Sequence, residues 1–127
     1  MKTIPRDKRK LRSENTTLAL HYQLEHSRAA ARLDGMVLSD QDGFCLAASG
    51  DPEACQEVAA RLPMIGRKVA EFEGVLFSAE SGWQIRMETI QVGGTELYLC
   101  AIGHQPDAER VMSRSEFGVR RILSRAA

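Results

Sequence analysis

The stretch that decides the fold is Leu33-Asp34-Gly35-Met36-Val37-Leu38-Ser39-Asp40-Gln41-Asp42-Gly43-Phe44-Cys45-Leu46-Ala47-Ala48-Ser49-Gly50-Asp51-Pro52-Glu53-Ala54-Cys55. Two short apolar runs, residues 36–38 and 44–48, flank Asp40-Gln41-Asp42-Gly43. Aspartate side chains bond a turning backbone, and Gly43 takes a positive φ without steric cost. The pattern predicts a β-hairpin. Ser49-Gly50 then stops the second strand, Asp51 is placed to cap a helix, and Pro52 suits the first helical position, where an N–H would have no partner.

Upstream, a helix is expected from about Ser13, with Leu18, Tyr22, Ala29 and Leu33 on one face and His26 within the stripe. Asp34-Gly35 should end it, with Gly35 in the left-handed closing position. Residues 1–12 are polar and basic (Lys2, Arg6, Lys8, Arg9, Lys10 and Arg12 against Asp7) and read as a tail separate from a domain spanning 13–127. Downstream of Pro52, Cys55, Val58, Ala59, Leu62, Ile65, Val69 and Phe72 recur every three or four residues, one sustained helical face that Pro63 should kink or divide. After Glu73-Gly74 comes a meander: a strand over 75–78, a turn at Ala79-Glu80-Ser81-Gly82, a strand over 83–92, a Gly93-Gly94 turn and a strand over 97–102. The last strand is apolar on both faces, which marks it as central. Gly103-His104-Gln105-Pro106-Asp107 breaks it, and a final helix carries Ala108, Val111, Met112, Ser115, Val119, Ile122 and Leu123 along one stripe. The order α-β-β-α-β-β-β-α, with strands grouped in hairpins, predicts an α+β sandwich rather than an alternating α/β fold.

The totals set limits. A chain of 127 residues with 43% apolar and 27% charged content is an ordinary single domain. Its formal net charge of zero exerts no overall pull on nucleic acid or membrane, and no apolar run approaches the roughly 20 residues of a membrane span. The start lacks the apolar core of a secretory signal. Cys45, Cys55 and Cys100 each stand among apolar neighbours and read as buried free thiols, so a cytoplasmic protein is expected.

Catalytic patterns are missing. Neither Gly-x-x-x-x-Gly-Lys-Ser/Thr nor Gly-x-Gly-x-x-Gly occurs, and His21, His26, His104 and the cysteines show no metal-ligand spacing. Asp40-Gln41-Asp42-Gly43 imitates part of a calcium loop without its later ligands, and reads as turn chemistry. Cys100 and His104 are the nearest approach to a nucleophile and base, but Cys100 belongs to an apolar strand. No catalytic residue, cofactor or metal site is expected, and neither nucleic-acid binding nor membrane insertion.

Leu33-Asp34-Gly35-x-Val37-Leu38-Ser39-Asp40-x-Asp42-Gly43, followed by Leu46-Ala47-Ala48-Ser49-Gly50-Asp51, resembles the first hairpin of the roadblock (dynein light chain) family. The remaining elements agree in order from about Ser13 to Arg125. The resemblance implies a profilin-like sandwich: a five-stranded antiparallel sheet with the second helix on one face and the other two on the opposite face. It implies a homodimer joined through the second helix and the strand after it, with Cys55, Val58, Leu62, Ile65, Val69, Val75 and Phe77 as the contact residues. Bacterial members regulate small Ras-like GTPases or act as scaffolds, so a non-enzymatic regulator of such a GTPase is the leading expectation. A scaffold without a GTPase partner is the alternative, and a small-molecule sensor the third reading. Glu53, Glu57, Arg61 and Lys68 are the candidate partner-binding residues on the outer face of the second helix. Arg61, Arg67 and Arg86 are the arginines that could reach a phosphate by residue type, and all three are expected to be ordinary surface arginines.

Overall fold

The computed structural model describes residues 14–77, 82–103 and 108–126. The basic tail, the Ala79-Glu80-Ser81 turn and the break at His104 to Asp107 lie outside the described residues. Among the described residues, three helices and five strands follow in the expected order: α1 (Glu14–Ala31), β1 (Gly35–Asp40), β2 (Cys45–Gly50), α2 (Pro52–Gly66), β3 (Glu71–Phe77), β4 (Gly82–Val92), β5 (Thr95–Ile102) and α3 (Ala108–Ala126). The strands form one antiparallel sheet in the order β2-β1-β5-β4-β3.

β5 occupies the centre, and its side chains alternate between two cores. Leu97, Leu99 and Ala101 join Leu20 and Leu24 of α1 and Met112, Val119 and Leu123 of α3 on one face. Tyr98, Cys100 and Ile102 join Ala54, Cys55, Val58, Ala59 and Leu62 of α2 on the other. A strand apolar at every position belongs where both faces are covered. β4 alternates as expected, sending Ile85 and Met87 into the α2 core while Gln84, Arg86 and Glu88 face the opposite side.

The hairpin turn forms through Asp40, whose carboxylate accepts from the backbone N–H groups of Asp42 and Phe44, both at 2.9 Å. Gly43 has φ +86°. Asp51 caps α2 by accepting from the Glu53 N–H at 3.2 Å, with Pro52 entering the first turn.

Several expectations are corrected. The buried face of α1 is Leu20, Leu24 and Ser27, while Leu18 and Tyr22 are 49% and 63% exposed. Both sets recur at helical spacing, and packing against β2 and α3 selects the first. His26 and Ala29 also face outward. Arg32, not Gly35, closes α1 in the left-handed conformation (φ 57°), with Leu33 N–H bonded to Arg28 C=O at 3.0 Å. Gly35 instead starts β1 under α2, where a Cβ would stand 3.0 Å from Cys55 Sγ. Helix α2 runs through the buried Pro63 and ends one turn later at Gly66, so Val69 and Phe72 leave the helical face. Gly66 lies flat on the Tyr98 ring, where a Cβ would come within 2.2 Å of Cε1. β3 then starts at Glu71, earlier than expected. Cys45 is exposed rather than buried, and Cys55 and Cys100 are buried as expected.

Candidate interaction surface at the open sheet edge

The two outer strands of the sheet are β2 and β3, and the phase of each ladder decides which backbone groups look outward. Thr89 N–H bonds Ala70 C=O at 2.9 Å. In an antiparallel ladder hydrogen-bonded pairs alternate with non-bonded ones. With the register Glu71↔Glu88 to Phe77↔Gly82, residues 72, 74 and 76 therefore bond β4, and 71, 73, 75 and 77 point their N–H and C=O groups away from the sheet. Phe72 and Leu76 pack into the α2 core. Val75 and Phe77 project from the opposite face and are 48% and 75% exposed.

One of these outward groups is taken. Arg61 of α2 donates to the Phe77 carbonyl at 2.7 Å and pairs with Glu57 at 3.4 Å. Among the described residues nothing else reaches the outward groups of β3. Beside this edge, Met64, Ile65, Lys68, Val69 and Phe72 line an open, largely apolar depression. Met64 is 58% and Val69 43% exposed. The apolar surface thus continues from the end of α2 onto β3.

The expected contact residues separate into two groups. Cys55, Val58 and Leu62 are buried against the chain's own sheet and have no surface to offer a second molecule. Ile65, Val69, Val75 and Phe77 stand along the open edge. Of the candidate partner-binding residues, Glu53 and Lys68 are exposed, while Glu57 and Arg61 form the ion pair that reaches β3. Arg67 is exposed at the end of α2. Arg86 is held at 3.3 Å from Glu73 and 3.8 Å from Glu88. Two of the three arginines are thus engaged within the chain. Nothing in the sequence singles out Met64, because it lies off the α2 stripe and beside a proline.

The ionisable groups favour packing over chemistry. Burial pushes the Cys55 thiol up to about 11, and burial raises Cys100 as well. A thiol kept protonated is a poor nucleophile. Burial against α3, with Glu116 next in importance, raises the Glu88 carboxyl. Among the described residues no group of three or more His, Cys, Asp or Glu side chains could hold a metal ion. No described helix is long and apolar enough to cross a membrane.

Solved structures share this architecture. MglB from Myxococcus xanthus superposes with a TM-score of 0.62 at 11% identity, covering 91% of this chain and 95% of that one. A Roadblock/LC7 domain from Streptomyces avermitilis superposes with a TM-score of 0.57 at 18% identity, covering 83% and 95%. The chain has the Roadblock/LC7 fold. The gliding protein MglB from Thermus thermophilus is similar at the same level, with a TM-score of 0.61, 14% identity and coverage of 89% and 94%. No family model matches the sequence, and no curated protein sequence does. At these identities the likeness concerns the Roadblock/LC7 backbone alone.

Proposed function

We propose that the chain is a non-enzymatic homodimeric adaptor that regulates a small Ras-like GTPase. The observation that carries the reading is the open β3 edge, with Met64, Val69, Val75 and Phe77 exposed along it. An unpaired, apolar edge strand is a template for another strand, and a second copy supplies an identical one. Joining two β3 edges makes one sheet across both chains and covers the depression at the end of α2. The GTPase part rests on the roadblock resemblance of the first hairpin and on the shared backbone with MglB. Exposed Glu53 on α2 and exposed Lys68 just after its end are the residues offered to that partner.

Light scattering on the protein, alone and with a small GTPase from the same source loaded with GTP or GDP, tests both parts. The expected mass is about 28 kDa, twice the 14.1 kDa chain, rising further with the GTP-loaded partner. A monomer at all concentrations would end the shared-sheet reading. A dimer indifferent to every GTPase offered would move the function to scaffolding.

A further inference from the structure

We propose that Arg61 sets the register in which two β3 strands pair, by closing the outer end of the edge at Phe77. This deepens the two-copy reading above and rests on it. Three residues, Glu71, Glu73 and Val75, have outward N–H and C=O groups with no partner among the described residues. The next outward carbonyl, Phe77, carries the Arg61 guanidinium at 2.7 Å, and a neighbouring strand cannot approach along that line. Glu57, one helical turn before Arg61, holds the guanidinium from the other side.

A two-fold pairing that uses all three open residues and stops short of Phe77 is centred on Glu73. Glu73 then faces its own copy, and Glu71 faces Val75 of the other chain. Sliding the strands to centre on Gly74 would set Glu71 against Phe77 and force the blocked carbonyl into the ladder. The Glu73-centred register sets two like charges opposite each other, which is unfavourable alone. Here each Glu73 is accompanied by its own Arg86 at 3.3 Å, so the axis carries two ion pairs rather than two bare carboxylates.

Disulfide trapping reads the register directly. Cys45→Ser removes the exposed thiol and leaves the buried Cys55 and Cys100. In that background Glu73→Cys and Val75→Cys are oxidised mildly and the covalent dimer is timed. The Glu73-centred register places paired Cα atoms about 5.5 Å apart at position 73. It places the two copies of position 75 four residues out of step, roughly 13 Å apart. Glu73→Cys is therefore expected to cross-link about tenfold faster or more, since a disulfide needs Cα atoms within about 7 Å. Adding Arg61→Ala unblocks Phe77. A mixture of the two cysteine variants should then cross-link faster than either alone, as Gly74-centred pairing requires. Equal or faster trapping at Val75, or an unchanged order after Arg61→Ala, overturns the proposal while a mass of about 28 kDa, twice the 14.1 kDa chain, leaves the dimer standing. A mass of 14.1 kDa throughout removes the dimer and the register together.

Discussion

Strands β2 and β3 both border the sheet, and they are finished in opposite ways. On β2 the bond from Asp51 N–H to Asp34 C=O fixes the phase, so that Ala48 points its backbone outward. That carbonyl accepts from His21 Nδ1 of α1 at 2.7 Å. The strand is bulged opposite Leu38 and Ser39 and ends at Gly50, with φ +107°. Arg28 of α1 donates to the Ser49 hydroxyl at 2.8 Å, and Ser49 in turn donates to Glu25. Bulge, side-chain cover and early termination are means of discouraging a further strand. β3 has a regular register, alternates strictly and exposes valine and phenylalanine. The difference directs the proposed association to β3: besides its core face, α1 answers the Ala48 carbonyl and the Ser49 hydroxyl of β2, while α2 covers only the last carbonyl of β3.

The contrast is broken most severely at its glycines. Gly50→Ala places a Cβ 2.3 Å from Asp34 C=O at a positive φ, and should cost about 3 kcal/mol or more. Gly74→Ala on the other edge meets only the movable ring of Phe72 at 2.8 Å and should cost less, about 1 kcal/mol. Urea midpoints of the two variants measure this difference. Lysine at Val75 or glutamate at Phe77 should abolish the dimer mass in light scattering while shifting monomer stability by no more than about 0.5 kcal/mol, because both side chains are exposed. Loss of monomer folding instead would show β3 to be part of the core.

How much of this is readable in the sequence depends on how local each cause is. The hairpin turn at Asp40, the cap at Asp51 and the central position of β5 rest on neighbouring residues or on a run apolar at every position, and the sequence displays all of them. The face of α1 is misread from sequence because Leu18-Tyr22 and Leu20-Leu24 have the same spacing, and only contact with β2 and α3 distinguishes them. The end of α2 is misplaced because Val69 and Phe72 fit a helical period after Ile65, while Phe72 equally fits a strand period before Leu76. The surface is half visible. Val75 and Phe77 belong to an edge in any reading, but the roles of His21 and Arg61 depend on which carbonyls face outward, a parity set by hydrogen bonds to distant strands.

Smaller effects sharpen the picture of β2. His21→Ala leaves the Ala48 carbonyl to water and should cost about 1 kcal/mol, with a faster exchange of nearby amides. The Glu25 carboxyl is held below its ordinary value of 4.5, first by the Ser49 hydroxyl and then by Arg28. A lowered folded value means that this contribution is present above about pH 4.5 and is lost as the pH falls below it. Glu25→Gln should therefore lower stability slightly at neutral pH and converge with the parent protein in acid, which shallows the acid limb of the stability profile.

In the proposed dimer His21 also bears on the size of the assembly. A strand-by-strand contact that joins two unlike edges repeats without end and yields a fibre. In the proposed dimer the contact joins two like edges, β3 to β3. Once β3 has met its copy, both remaining borders are β2, each with its Ala48 carbonyl occupied by an imidazole. In that proposed assembly the sheet would hold ten strands, five from each chain. The histidine on α1 would in that assembly act as a terminator of polymerisation.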